Sequence, residues 1–466
     1  MQGLSLRKSL KDFLKIVFKL DESTYPILKS IWNLAWPVVL EQTLAMVSQV
    51  VDMAMVGRLG AAAVTSVGLS MQPFMLIISI IMGLSVGTTT FCARAKGAKN
   101  EDEVGLVLVE SIIFSLAIGL LLVIFGFIYA DKILYFMKAE KDVKKIGVVY
   151  VRAMMPGMLF FFFFTIVTAA LRGVGDTKTP MVVNLELNII HIVLNYALIF
   201  GKFGFPALGV LGAGISTSIS RFLGAFIIFN KIVKPGGSIF VDFKKVIKRL
   251  NFNLFKRIIN ISIPAAMERI ISSAGQMQYA RQVASLGTVL YAAHSISINV
   301  ESLSYMPGIG FATAATALTG LKLGANDLEG AKVSISISNR MAVFTMGAMG
   351  LLFFLFPKLF LAIFTNDRQI IDNAVILLRI VAFTQLPEAI GFVVSGALRG
   401  AGDTRFVLYV NIVGMWIVRL GFTFILMKYF NLGIIGAWIA MFLDWFTRAI
   451  FYIYRIRSGK WQFVKI

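Results

Sequence analysis

An eight-residue stretch that occurs twice constrains the fold of this chain more than any other feature. Residues 170–177 read Ala-Leu-Arg-Gly-Val-Gly-Asp-Thr, and residues 397–404 read Ala-Leu-Arg-Gly-Ala-Gly-Asp-Thr. The copies differ only where Val174 corresponds to Ala401. They lie 227 residues apart (398 − 171), close to half of the 466-residue chain.

The same offset relates other residues throughout the sequence. The pairs are Pro37 and Pro264, Glu41 and Glu268, Gly83 and Gly310, and Gly97 and Gly324. Near the end of each half the offset becomes 224 (432 − 208), where Leu-Gly-Val-Leu-Gly-Ala corresponds to Leu-Gly-Ile-Ile-Gly-Ala. Agreement at so many separated places indicates a duplication, and a duplication decides the architecture. We therefore predict two homologous halves.

Hydrophobic runs predict that both halves lie in a membrane. Hydrophobic residues make up 58% of the chain, and the mean hydropathy is +0.82. A helix needs about 20 apolar residues to cross a bilayer. Twelve such segments are predicted at 30–56, 61–92, 104–129, 146–171, 181–200, 207–233, 256–281, 286–318, 333–357, 370–398, 406–428 and 432–454.

Six spans per half is an even number, so both halves enter the membrane from the same side and form parallel repeats. The predicted fold class is an all-α membrane protein with twelve transmembrane helices in two parallel six-helix repeats that form two lobes. The predicted parts are an amphipathic N-terminal segment at 1–25, a first lobe at 26–233, a cytoplasmic linker at 234–253, a second lobe at 254–455 and a cytoplasmic tail at 456–466.

The distribution of positive charge predicts the orientation. Loops on the side of both termini hold 27 Lys and Arg residues, and the opposite loops hold 11. Because positively charged loops stay in the cytoplasm, both termini are predicted to be cytoplasmic, in the plasma membrane of a prokaryote. The basic linker and the net charge of +21 then indicate contact with anionic membrane lipids rather than nucleic acid.

Several kinds of chemistry find no support in the sequence. A single cysteine, Cys92, and two histidines leave little material for a disulfide framework or a transition-metal site. No phosphate-binding loop and no metalloprotease or hydrolase motif occurs. We expect neither an enzyme nor a bound cofactor.

Acidic residues inside the apolar segments are the main functional candidates. A charge at mid-membrane costs several kcal/mol, so it indicates an ion or substrate pathway. Glu41 and Glu268 each lie one turn after a proline, where freed backbone carbonyls suit a hard cation or a proton. We predict ion coupling, to Na⁺ or H⁺, at Glu41, Asp52, Glu268 and Glu388, with Glu268 also a possible Na⁺ ligand.

Other polar residues within the spans are predicted to line a substrate cavity together with Asp52. His191 and Asn195 are one helical turn apart, and His294 and Glu301 share a helix face at a spacing of seven. The predicted cavity residues are Asp52, His191, Asn195, Gln276, His294, Asn299 and Glu301. The charged residues Glu186, Arg221, Arg419, Asp444 and Arg448 are expected to be interfacial or paired.

The duplicated motif itself is predicted to be structural. Its two glycines permit a tight turn, and its aspartate or the threonines after it can cap the following helix. Its arginine can bind the last carbonyls of the preceding span or a lipid phosphate. The structural residues are Arg172, Asp176, Arg399 and Asp403.

Two Leu-Arg-Gly-x-Gly-Asp-Thr loops, at 171–177 and 398–404, in a chain of six plus six spans resemble the multidrug and toxic compound extrusion (MATE) family. The resemblance implies two six-helix lobes in a V and alternating access driven by Na⁺ or H⁺. It also implies export of amphipathic, often cationic, drugs and dyes. The family's acids on helices one, seven and ten correspond to Asp52, Glu268 and Glu388.

The chain departs from the family pattern on helix five. Asn195 stands where some members have an aspartate, and His191 stands where the family has an asparagine. An N-lobe proton site made of two acids is therefore not expected, which favours Glu268 and Glu388 in the C-lobe as coupling residues, with Asp52 second.

These observations predict a secondary-active antiporter that exchanges Na⁺ or H⁺ for drug-like cations and acts as a monomer. The related alternative is a flippase for a lipid-linked sugar, although its site would have to be cationic to bind a pyrophosphate. An intramembrane enzyme would need a nucleophile and base or a metal cluster. A channel would differ in having no gradient-coupled, saturable flux.

Overall fold

The computed structural model describes residues 24–464 and 466, without the side chain of Leu76. Within this part, the chain forms twelve long helices, and the longest connection between them, residues 234–251, contains the short helix Phe243–Ile247. They are α1 (Tyr25–Gly57), α2 (Ala61–Gly97), α3 (Glu101–Phe136), α4 (Lys141–Gly173), α5 (Lys178–Phe200), α6 (Val210–Val233), α7 (Phe252–Ala284), α8 (Thr288–Gly324), α9 (Leu328–Leu355), α10 (Arg368–Ala401), α11 (Thr404–Lys428) and α12 (Gly433–Arg457). The predicted amphipathic segment 1–25 falls almost entirely outside the described residues.

The twelve helices confirm the predicted fold class and match the twelve apolar segments in order. Ten of them are long and apolar enough to span a membrane. The exceptions, α7 and α8, are as long as their neighbours, at 33 and 37 residues. They carry Glu268, Arg269 and Glu301 along with many serines, which lowers their hydropathy.

The duplication is visible in the backbone at equivalent turns. Gly60 and Gly287 precede α2 and α8 with φ of 102° and 106°, and Gly175 and Gly402 follow α4 and α10 with φ of 90° and 89°. Only glycine adopts such angles without strain. A side-chain hydrogen bond is repeated too, since Thr89 donates to the Ala169 carbonyl at 2.9 Å and Thr316 to the Gly396 carbonyl at 2.8 Å.

The described residues form two compact units, and each unit contains a helix end from the other half of the sequence. Of the described residues, one unit comprises 40–270 and 466, and the other comprises 24–39 together with 271–464. We call them unit A and unit B, respectively. The predicted lobes at 26–233 and 254–455 follow the sequence repeats, and the units differ from them by this exchange.

Hydrophobic packing explains the exchange. The start of α7 contributes Leu254, Ile258 and Ile261 to the core of unit A. The start of α1 contributes Leu28, Ile31, Leu34 and Ala35 to a core of unit B. Glycines make the approach close. A methyl group added to Gly83 would clash with Ala266, and one added to Gly310 would lie 2.6 Å from Val39.

Candidate functional site

Asp52, His191 and Asn195 form one hydrogen-bonded cluster in unit A. His191 Nε2 lies 3.1 Å from both carboxylate oxygens of Asp52. Asn195 Nδ2 donates to Asp52 Oδ1 at 2.7 Å and lies 2.9 Å from His191 Nε2. The side chain of Asp52 is 36% exposed, whereas that of His191 is 14% exposed. Asp52 is thus partly exposed and at the same time hydrogen-bonded to His191 and Asn195. Three residues predicted to line the cavity are brought together here.

Helix geometry places this cluster. His191 and Asn195 are four residues apart on α5, so both side chains project from one face toward α1. Ser216 of α6 donates a hydrogen bond to Asn195 Oδ1, and this fixes which way the amide of Asn195 points. With its oxygen occupied by Ser216, the amide presents its nitrogen to Asp52.

Glu41, predicted to couple ions, has partners from the protein itself. Its Oε2 accepts from Arg172 Nη2 at 2.6 Å, and its Oε1 accepts from Asn184 Nδ2 at 2.6 Å. Arg172 belongs to the duplicated motif, so this contact ties α1 to the end of α4. The ion pair favours a structural role for Glu41, because its charge is already balanced.

The two aspartates of the motif make different contacts. Asp176 caps the start of α5, since it accepts from the backbone N–H of Thr179 at 2.9 Å and from its hydroxyl at 2.7 Å. Asp403 instead accepts from Arg455 Nε of α12 at 2.7 Å. Arg399 donates to Ser395 Oγ at 3.3 Å. The contacts of these residues are those of a structural motif.

Glu301 and Glu388 are both buried in unit B, at 5% and 3% exposure. Gln385 Nε2 donates to Glu388 Oε2 at 3.4 Å, and Ser304, one turn after Glu301, donates to Gln385 Oε1. The two carboxyl groups lie within electrostatic range of each other and of Arg419. The hydrogen bond from Ser304 to Gln385 links α8 to α10, the helices that carry the two acids.

A buried charge cluster on α11 and α12 was expected only as paired or interfacial charges. Asp444 is completely buried, and its Oδ2 lies 2.8 Å from Arg419 Nε and 3.0 Å from Arg448 Nη2. Arg448 also donates to Asn411 Oδ1. Arg419 ends a seven-residue π-helical segment, Val413–Arg419, a rare geometry often associated with functional sites. The sequence signal was Asp444 and Arg448 at i and i+4 in an apolar helix.

The remaining predicted residues are distributed over both units. His294 is 2% exposed and packs between the rings of Tyr279 and Trp438, with centroids at 5.6 and 5.7 Å. Gln276 and Asn299 are exposed. Glu268 is buried at 5% and belongs to unit A, whereas Glu388 belongs to unit B. Among residues 24–464 and 466, no three His, Cys, Asp or Glu side chains gather as a metal site would require.

Comparison with known proteins agrees with the duplication. The MatE family model matches twice, at residues 37–197 and 264–425. The probable multidrug resistance protein NorM of Thermotoga maritima is 34% identical over 441 residues, covering 95% of this chain and 94% of the relative. The probable multidrug resistance protein YoeA of Bacillus subtilis is 28% identical over 435 residues, covering 92% of each.

Solved structures show the same fold. An outward-facing multidrug resistance MATE family transporter of the MOP superfamily superposes with a TM-score of 0.86 at 24% identity, over 93% of this chain and 96% of that one. A MOP superfamily transporter from Pyrococcus furiosus gives 0.85 at 23% identity, over 94% and 97%. With the family model matching both repeats, the chain belongs to the MatE family, that of the multidrug and toxic compound extrusion transporters.

Proposed function

We propose that this chain is a proton-coupled antiporter that exports amphipathic, often cationic, organic compounds by alternating access. Its relatives are named multidrug resistance proteins, which supports efflux of drug-like molecules as the activity. The observation that carries the proposal is the cluster of Asp52, His191 and Asn195 in unit A.

The neighbours of Asp52 favour a proton over Na⁺ at this cluster. A sodium ion, like other hard cations, is held by several oxygen ligands. His191 and Asn195 present nitrogens to the Asp52 carboxylate, at 3.1 and 2.7 Å. The amide oxygen of Asn195 is occupied by Ser216. An acid hydrogen-bonded to an imidazole can exchange a proton without rearranging its partners.

The cluster can couple proton uptake to drug release through its charge. With His191 neutral and Asp52 ionised, the cluster carries one negative charge and attracts a cationic drug. Uptake of one proton, by either group, makes the cluster neutral overall and weakens that attraction. Coupling needs two ligands that favour different states, and competition for one carboxylate supplies this difference.

Glu301 and Glu388 are proposed as a second cation site. Together with Asp444, Arg419 and Arg448 they give three acids against two arginines in the interior of unit B. The set is left with one excess negative charge when all three acids are ionised. One proton or one Na⁺ would neutralise it, and burial of the set favours neutrality.

Proteoliposomes test the proposal. Efflux of a cationic dye is followed under an imposed pH gradient or an imposed Na⁺ gradient, for the wild type, Asp52→Asn and Glu388→Gln. The control is Glu186→Gln, which removes an exposed acid from α5. We expect pH-driven efflux in the wild type and in Glu186→Gln, and a loss of at least tenfold in Asp52→Asn.

The two gradients separate the alternatives. Wild-type efflux driven only by Na⁺ would refute proton coupling, and pH-driven efflux that survives Asp52→Asn would refute the role of Asp52. Loss of gradient-driven efflux in Glu388→Gln alone would place the coupling site in unit B. If no dye moves under either gradient, a flippase for a lipid-linked sugar becomes the better candidate. The proposed location is the plasma membrane of a prokaryote, with both termini cytoplasmic and the protein a monomer.

A further inference from the structure

Hydrogen bonds hold the linker between the two halves against the helices of unit A at several points. Ser238 Oγ donates to Asp176 Oδ2 at 2.6 Å, and the Val241 N–H donates to the Ile232 carbonyl at 2.9 Å. Farther on, the Asn251 N–H donates to Glu110 Oε1 at 2.7 Å. Ile239 and Val241 are buried, at 2% and 3% exposure. The linker therefore has a fixed inner face.

A short helix in the linker, Phe243–Ile247, packs by its inner face as well. The ring of Phe243 lies 5.8 Å from that of Phe229 on α6. Val246 lies against Gly105 of α3, where a Cβ would be 3.6 Å from its methyl group. Residues on the other side of this short helix are consequently held facing outward.

The outward side combines large apolar residues with lysines. Phe240, Ile247, Leu250 and Phe252 are 49%, 55%, 44% and 77% exposed. Lys244, Lys245 and Lys248 are exposed among them. Within residues 24–464 and 466, the carboxylate that pairs with one of these lysines is that of Asp242, 3.8 Å from Lys245. We call these seven residues the linker surface.

The position of the linker surface indicates its partner. It lies between the end of α6 at Val233, which is long and apolar enough to span a membrane, and the start of α7 at Phe252, so it is at the level of the membrane interface. Aromatic and aliphatic side chains beside exposed lysines are the composition of segments that rest on anionic bilayers.

We propose that the linker surface is a binding site for the headgroups of anionic phospholipids. The lysines neutralise the phosphates, and the four apolar side chains enter the acyl boundary beside them. Each lysine near such a surface contributes about a fivefold preference for anionic lipid. Three lysines therefore predict a preference on the order of 100-fold over a zwitterionic lipid.

A tryptophan placed in the surface tests the proposal. Ile247→Trp is reconstituted in nanodiscs that contain a few per cent of a lipid brominated in its acyl chains, either phosphatidylglycerol or phosphatidylcholine. The fluorescence of the unsubstituted protein, which has six tryptophans, is subtracted. We expect stronger quenching by the brominated phosphatidylglycerol, and loss of the difference when Lys244, Lys245 and Lys248 are all changed to Gln.

A matched position in another loop supplies the control. Phe136 is 84% exposed and is followed by Lys138 and Lys141, so Phe136→Trp reports on the predicted opposite side. Its quenching is expected to stay the same when the linker lysines are changed. The melting temperature in detergent shows whether the triple variant is folded.

Three outcomes would overturn the proposal. The first is equal quenching of Ile247→Trp by the two brominated lipids. The second is a preference that persists in a folded triple-lysine variant. The third is removal of the preference by millimolar inorganic phosphate, which would show that the surface takes a free anion instead of a lipid headgroup.

Discussion

Asp52 and Tyr279 occupy equivalent positions in the two repeats, 227 residues apart (279 − 52), and each faces a nitrogen-bearing side chain of its own unit. Asp52 binds His191, with 3.1 Å between carboxylate and imidazole. The ring of Tyr279 lies 5.6 Å from the guanidinium carbon of Arg419, and its hydroxyl donates to the Ala437 carbonyl at 2.9 Å. The same place therefore holds an ionisable acid in unit A and a neutral ring in unit B.

The imidazole of His191 is expected to matter for proton coupling more than for drug binding. His191→Gln keeps a side chain that can donate a hydrogen bond to Asp52 but cannot take up a proton near neutral pH. We expect dye binding, measured by fluorescence anisotropy, to change less than threefold, while pH-driven efflux falls about tenfold. An equal loss of dye binding and of pH-driven efflux would indicate that His191 only positions Asp52.

Removal of the buried Asp444 should strongly destabilise the protein. Asp444→Asn would remove the carboxylate that contacts both buried arginines, Arg419 and Arg448, and breaking a buried pair costs about 3–5 kcal/mol. The matched control is Asp102→Asn, because Asp102 forms an ion pair with Arg249 at 2.9 Å in which both side chains are largely exposed. We expect a fall in melting temperature for the first variant and almost none for the second. Similar melting temperatures would contradict this account.

The packing of α2 on α7 can be tested by two glycines of one helix. A methyl group at Gly83 would clash with Ala266, whereas at Gly68 it would meet nothing within 4 Å. Gly83→Ala should therefore lower stability by about 1–3 kcal/mol. Gly68→Ala should leave it unchanged or raise it by up to about 1 kcal/mol through helix propensity. Thermal unfolding in detergent compares the two, and an equal effect would mean that α7 can shift freely.

The loop before α9 contains a negative charge, that of Asp327, whose contribution to stability should be lost at low pH. Asp327 accepts hydrogen bonds from Lys322 Nζ at 2.7 Å and from the Gly330 N–H at 2.8 Å. These contacts lower its pKa below the ordinary value of 3.8. A lowered pKa in the folded state stabilises the protein above pH 3.8, and this stabilisation is lost as the pH falls through the lowered pKa.

Asp327→Asn isolates this charge, because the equivalent residue of the first repeat, Asn100, caps α3 with an amide that accepts from the Glu103 N–H at 3.1 Å. The cap is thus retained while the ion pair with Lys322 is lost. We expect the wild type to melt slightly higher than the variant at pH 7 and the difference to shrink as the pH falls below 3.8. A difference in melting temperature that stays constant with pH would mean that the helix cap, and not the ion pair with Lys322, causes it.

Apolar length predicted the helices well, because crossing a membrane demands long uninterrupted runs. Asp52, His191 and Asn195 were each predicted as functional, but their mutual contact joins residues 139 and 143 positions apart, which no local pattern reveals. Arg419, Asp444 and Arg448 were expected to be interfacial or paired, and they are paired. That Arg419 joins the other two from a π-helical segment of another helix could not be predicted from local spacing. Within the linker predicted at 234–253, the structure has a short helix at Phe243–Ile247.

The exchange of helix ends between units A and B could not be predicted, since a repeat shows which residues correspond but not which residues pack together. It has a consequence for biosynthesis. When the ribosome has made only the first half, unit A still lacks residues 252–270, and the first turns of α1 have no hydrophobic core to join until much of the second half exists. Each half of the sequence therefore lacks part of the hydrophobic core that it packs against in the full chain.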